Sequence, residues 1–246
     1  MRIKDKMNMD KLAFIENGPI TIVAFGDSVT QGAFASDGVD YLNYDAVYHS
    51  RLRRKILQVR DSIPVNVINA GIGGINTTQS IARIESQVTC HKPDLIIVCF
   101  GLNELGQELD VFLDSLGIIF DKCQKCGAEV IYMTPNMMNT YVPDRLSKSK
   151  AHFDYAHVTA DWMNSGKMDR YMASAKNLAE KMGVKVCDCY GAWKRLSESE
   201  DTTALLSNGI NHPNEDMHEL FADMLFDVIF ADNVNEGGCG RGILRG

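Results

Sequence analysis

Between residues 20 and 230, short apolar runs rich in β-branched residues alternate with longer stretches of helical periodicity, and no other feature constrains the fold as much. Ile20–Phe25, Val65–Asn69, Asp94–Phe100, Glu129–Met133 and Val184–Cys187 have the length and composition of strands. Asp45–Val59, Thr77–Val88, Leu109–Cys126, Lys167–Met182 and Asn214–Phe230 space their apolar residues at the helical period. The last of these starts behind Pro213, a residue favoured near helix starts. Strands separated by helices pair in parallel, with helices on both faces, so the sequence predicts a doubly wound α/β fold.

No repeat or low-complexity linker interrupts this order, and residues 1–232 are expected to form a single domain. The stretch 134–166 stands out. It is long for a strand-to-helix connection and carries Pro135, Pro143, Trp162, His152, His157 and several tyrosines. Long connections of this kind are often active-site lids, and a lid or substrate loop is expected here. Residues 233–246 read as a Gly-rich C-terminal tail.

At 246 residues and 45% hydrophobic content, the chain can bury a substantial core. Its formal charge of -7 opposes phosphate backbones and anionic lipid headgroups, so neither nucleic acid nor membrane is an expected partner. The basic run Arg51, Arg53, Arg54 and Lys55 falls in a helical pattern and reads as a solvated face. The amino-terminal stretch lacks the apolar run of a secretory signal, and no apolar stretch reaches the roughly 18 residues of a membrane span, so a soluble, cytoplasmic protein is expected. Seven cysteines, an odd number scattered over strand-like and helix-like segments, fit reduced thiols better than a disulfide framework. Cys123 and Cys126 have redox or zinc spacing, but no second pair or nearby histidine completes four ligands. Monomer and homodimer are equally compatible with the pattern.

In open α/β sheets the ligand sits at the carboxyl ends of the strands. After the first strand comes Gly26-Asp27-Ser28-Val29-Thr30-Gln31-Gly32, where a serine at a helix start is either a nucleophile or a simple cap. After the second comes Asn69-Ala70-Gly71-Ile72-Gly73-Gly74-Ile75-Asn76, whose glycines let backbone N–H groups face developing negative charge. This stretch departs from the dinucleotide fingerprint, because Asn76 takes the place of the third glycine and the stretch follows the wrong strand. Gly101-Leu102-Asn103-Glu104 follows the third strand and offers a side-chain amide. Near the carboxyl end, Asn208-Gly209-Ile210-Asn211-His212-Pro213-Asn214 puts a histidine on a loop stiffened by proline.

Taken in order, these four blocks resemble the motif blocks of the SGNH/GDSL hydrolases, over nearly the whole chain. The resemblance implies a flavodoxin-like three-layer α/β/α sandwich with about five parallel strands, and acyl-ester hydrolysis without metal or organic cofactor. By position it makes Ser28 the nucleophile and His212 the general base. The Ser28 N–H, the Gly74 N–H and the Asn103 amide become the oxyanion hole.

Two departures from the family pattern stand out. The family usually has an aspartate three residues before the histidine, to orient the imidazole and stabilise its charged form; here that residue is Gly209. Asn208, a backbone carbonyl, or a carboxylate from elsewhere must replace it, with Asp188 and Asp216 as the carboxylates to test. Glu104 also stands where the family more often has aspartate, and the extra methylene is expected to alter how that turn is tied. Asp27 is expected to support the turn at the nucleophile. A metal site in His152, Asp154, His157 and Asp161 matches no strong motif, and Met137 and Met138 read as packing or pocket-lining groups. Tyr41, Tyr44, Tyr141 and Trp162 could stack on a sugar ring, which makes a small acyl ester, such as acetyl on carbohydrate, the first substrate class to consider. Acyl transfer to an acceptor other than water would use the same residues, and a binding module that does not turn its ligand over is the alternative from another class.

Overall fold

The computed structural model describes residues 3–36 and 38–231; the Gly-rich tail expected at 233–246 lies outside the described residues. Five parallel strands, β1 (Ile20–Gly26), β4 (Val65–Gly71), β5 (Leu95–Cys99), β6 (Glu129–Met133) and β7 (Lys185–Cys187), form one sheet in the order β4-β1-β5-β6-β7. A separate antiparallel hairpin, β2 (Ala33–Ser36) with β3 (Val39–Leu42), lies between β1 and β4 in the chain. In the sheet's centre β5 is buried along its whole length, which is why it reads as an unbroken apolar run, whereas the edge strands β4 and β7 mix buried and exposed positions.

Eleven α-helices are described: α1 (Ile3–Met7), α2 (Lys11–Asn17), α3 (Ser28–Gln31), α4 (Tyr48–Val59), α5 (Thr77–Ser80), α6 (Ile84–Gln87), α7 (Leu109–Lys125), α8 (Lys150–Asn164), α9 (Lys167–Lys181), α10 (Cys189–Leu196) and α11 (Met217–Phe230). The chain moves from β1 to β4 in one direction and from β4 past β1 to β5 in the other. Right-handed crossovers therefore put α4 on one face and α5 to α9 on the opposite face. The packing agrees: α11 lies on α4, while α5 and α9 both lie on α7. This is the expected three-layer sandwich, and the reversal at β1 and β5 opens a crevice at their carboxyl ends.

Several sequence expectations are corrected. The helix expected from Asp45 begins at Tyr48, because the Asn43 side chain accepts the N–H groups of Asp45 and Ala46 and makes a turn first. Likewise α11 begins at Met217 rather than Asn214, since the Asn214 side chain accepts the Met217 N–H and Pro213 forms a bridge with Leu206. The single helix expected over Thr77–Val88 is split by a 3₁₀ turn at Ile81–Arg83. The stretch 134–166 is only partly a loop. It holds a 3₁₀ turn at Asp144–Lys148 and the fifteen-residue α8, capped by Ser149 and burying Ala156, Thr159, Ala160 and Met163. Its first residues are structural: Met137 and Met138 lie in the core, and Asn136 and Asn139 are buried.

Candidate active site

The end of β1 places Ser28. Asp27 leaves the strand and caps α3, its Oδ1 accepting the Val29 N–H at 3.0 Å, so Ser28 opens the helix only 7% exposed. The end of β4 lies directly against this turn. A Cβ on Gly71 would stand 2.2 Å from the Gln31 nitrogen, so no other residue permits that approach. Gln31 Oε1 then accepts the Gly73 N–H at 2.8 Å and holds the Gly73-Gly74 loop beside the serine. Beneath the loop the buried Arg83 donates to Ala70 O at 2.6 Å and to Gly26 O at 3.0 Å, with its guanidinium 4.5 Å over the Phe25 ring. Arg83 thus fastens the carboxyl ends of β1 and β4 together.

The end of β5 supplies the third side. Asn103 Nδ2 donates to Ile75 O at 3.0 Å, and the neighbouring Glu104 Oε1 accepts the Thr77 N–H at 2.9 Å. Glu104 therefore ties this loop to the start of α5. Both carboxyls under the site are fully buried. Burial, with the charge of Asp27 added, raises Glu104 to about 8, and burial raises Asp27 to about 7.

His212 reaches Ser28 from the far end of the chain, its Nε2 standing 2.9 Å from Ser28 Oγ. Its loop is held from below: Asn136 Nδ2 donates to Asn211 O, and the Asn139 N–H donates to Ile210 O. Burial holds the imidazole down at about 4, opposed by the charge of Asp40, so the ring is neutral at physiological pH and able to accept a proton. Its other nitrogen, Nδ1, is buried without a hydrogen-bond partner among the described residues.

Neither a loop carbonyl nor any of the three side chains expected for that nitrogen bonds it. Asn208 turns its Oδ1 onto the N–H groups of Ile210, Asn211 and His212 and its amide onto Asn211, shaping the loop rather than the ring. Asp188 caps α10 and is held by Lys176 and Thr134. Asp216 stands exposed at the start of α11.

A cavity of about 840 Å³ brings Ser28, Gly74, Asn103 and His212 onto one surface, walled by the β2–β3 hairpin and by residues of the 145–155 region. Of the residues expected to stack on substrate, Tyr41 lines the cavity and bonds Glu215 through its hydroxyl, while Asp27, expected to support the turn, lies buried beside Ser28. Tyr141 donates to Asp201 and Trp162 packs by Gly106 and Lys167; neither is among the lining residues. Asp154 is paired with Lys150, His157 packs on Phe153, and no three His, Cys, Asp or Glu side chains converge as metal ligands among the described residues. Sequence reading missed Gln31, Asp40, Arg83, Arg145 and Tyr155. Gln31 sits within a motif already noted, and Arg145 and Tyr155 lie in the 134–166 stretch expected to be a lid, whereas no motif singles out Asp40 or Arg83.

The model of the GDSL-like lipase/acylhydrolase family matches residues 24–220. This chain belongs to that family. As a GDSL-like acylhydrolase it is a carboxylic ester hydrolase. It is 22% identical over 223 residues to an acetylxylan esterase of Geobacillus stearothermophilus, covering 82% of this chain and 90% of that protein. It is 24% identical over 216 residues to the uncharacterized lipoprotein YqeF of Bacillus subtilis, covering 78% and 80%. Among solved structures, Axe2, an acetylxylan esterase from Geobacillus stearothermophilus, superimposes with a TM-score of 0.65 at 19% identity, covering 87% of this chain and 95% of that one. A lipase/acylhydrolase from Enterococcus faecalis gives 0.63 at 20% identity, covering 85% and 95%. At these identities the superpositions establish the shared α/β/α fold.

Proposed function

We propose that this hydrolase is a serine esterase that removes a small acyl group, acetyl first, from a carbohydrate ester through an acyl-Ser28 intermediate. The observation that carries the mechanism is the 2.9 Å contact between Ser28 Oγ and the neutral His212 at a cavity surface shared with Gly74 and Asn103. Ser28 Oγ adds to the ester carbonyl as its proton passes to His212 Nε2. The oxyanion is met by the N–H groups of Ser28 and Gly74 and by the Asn103 amide. His212 returns the proton to the departing alkoxide, leaving acyl-Ser28. A water then repeats the attack, its proton passing to His212 and on to Ser28 Oγ as the acid leaves.

The substrate reading has two supports. Tyr41 and Tyr155 line the cavity and can lie against a sugar ring, and the named relatives include an acetylxylan esterase. The test is a series of p-nitrophenyl esters from acetate to decanoate, followed by acetylated xylo-oligosaccharides, on the wild-type protein and on Ser28→Ala. Fastest turnover of acetate, acetate release from the oligosaccharide and an inactive, folded Ser28→Ala are expected. Preference for long chains would overturn the substrate class, and an active Ser28→Ala the mechanism.

A further inference from the structure

The site holds a base without its usual partner. When His212 takes the serine proton its ring becomes positive, and in related triads a carboxylate at the other nitrogen stabilises that charge. Here Nδ1 is buried without a hydrogen-bond partner among the described residues, Asn208 is spent on three backbone N–H groups, and Gly209 has no side chain. The buried Asp27 and Glu104 are raised to about 7 and 8 and are mostly neutral below pH 7.

Among the described residues one carboxylate lines the cavity, and the hairpin's pleat puts it there. Ala33 faces Leu42 and Ala35 faces Asp40 across the β2–β3 pair, so these four side chains share one side of the ribbon. All four line the cavity that holds Ser28 and His212. Two of the four are alanines, which leave the space beside Asp40 open. The other side of the ribbon is anchored: Phe34 is fully buried, 4.9 Å from the His218 ring. The hairpin is also fastened to the histidine's own backbone. The Ala35 N–H donates to Ser207 Oγ at 3.2 Å, and that hydroxyl donates to His212 O at 3.2 Å, so the residue facing Asp40 reaches His212 through one serine.

We propose that Asp40, carried across the cavity by the β2–β3 hairpin, is the positioning carboxylate for His212, replacing the aspartate absent from the histidine's own loop. The proposal rests on the reading of Ser28 and His212 as nucleophile and base. Its direction agrees with the electrostatics, since the charge of Asp40 opposes the burial that holds His212 low. Among the described residues the other charged or titratable groups lining the cavity are Arg145, Lys148, His152, Tyr41 and Tyr155, with the buried His218 also acting on His212, and none of them is a carboxylate.

The test compares wild type, Asp40→Asn, Asp40→Glu and Ser28→Ala in full pH profiles of kcat and kcat/KM with p-nitrophenyl acetate, at low and high salt. Asp40→Asn is expected to lower kcat about tenfold with KM little changed, and to move the acid limb of kcat/KM to lower pH. Asp40→Glu should restore most of the activity, and high salt should narrow the gap between wild type and Asp40→Asn, because an exposed carboxylate is screened. A rise in KM with an unmoved acid limb would overturn the proposal by making Asp40 a substrate contact. An unchanged profile would overturn it by showing a base that works without a carboxylate. An active Ser28→Ala would instead remove the underlying mechanism, so the two failures are distinguishable.

Discussion

The Arg145 guanidinium occupies the space in front of Gly209: its Nη2 lies 2.8 Å from where a Cβ on Gly209 would stand, and donates to Leu206 O at 3.1 Å. The position from which relatives usually extend an aspartate is thus covered by a cation, on a backbone with φ of +69°. Gly209→Ala is expected to cost about 1–2 kcal/mol from left-handed strain. It should also push Arg145 off the Leu206 carbonyl. Adding Arg145→Ala should then cost less in the Gly209→Ala background than in wild type, a coupling that a urea-denaturation double-mutant cycle measures.

Asn103 sits where the end of β5 meets the Gly74 loop, its amide already aligned by the bond to Ile75 O. Only an amide held before reaction stabilises the oxyanion without reorganisation. Asn103→Ala should lower kcat by about 10²–10³ with little change in KM. Circular dichroism should show an intact fold, because the lost bond is one side-chain contact to a loop carbonyl. A variant with wild-type kcat would remove Asn103 from the oxyanion hole.

Arg83 carries a different load. Its two terminal nitrogens donate to the carbonyls of Ala70 and Gly26 at the very ends of β4 and β1, next to the Ser28 turn. Burial lowers its guanidinium to about 10, still charged at neutral pH. Arg83→Met keeps the packing on Phe25 but leaves Ala70 O and Gly26 O each one donor short, Gly26 O keeping the Ile72 N–H, and should cost about 1–3 kcal/mol in guanidinium denaturation. Turnover should also fall, because the Gly26 and Gly71 ends set the spacing between Ser28 and the Gly74 N–H.

The parallel sheet was legible because β1 and β5 are buried on both faces, and a strand buried on both faces must be apolar throughout. The motif blocks were legible because each sits within a few residues of a strand end or of the histidine. Other features depend on contacts that sequence order does not encode. Helix starts were misplaced where Asn43 and Asn214 spend their side chains on turn N–H groups. The α8 helix was hidden by its aromatic and histidine content, although Ala156, Thr159, Ala160 and Met163 carry the helical period and Ser149 the cap. Asp40 and Arg145 lie 172 and 67 positions away from His212, so only the folded hairpin and the 3₁₀ turn at Asp144–Lys148 bring them to it.

Beneath the site, Asp27 and Glu104 give stability an unusual pH dependence. Each carboxyl is raised in the folded protein, to about 7 and about 8, from 3.8 and 4.5. Between those limits the folded state holds protons that the unfolded chain has released. The contribution of these two carboxyls to stability therefore falls as pH rises from about 4 through about 8. The buried His49, His212 and His218, held down at about 4, 4 and 3 from 6.5, contribute the opposite slope below about 6.5, so the net fall is expected above about pH 6.5. Their second oxygens, Asp27 Oδ2 and Glu104 Oε2, have no partner in the described residues, so ionisation gains no new bond. Glu104→Gln keeps an acceptor for the Thr77 N–H while removing the titration. It should leave the melting temperature near wild type at pH 5 and raise it at pH 8. A Glu104→Gln melting temperature that follows the wild type in parallel from pH 5 to pH 8 would show that Glu104 is already ionised in the folded state.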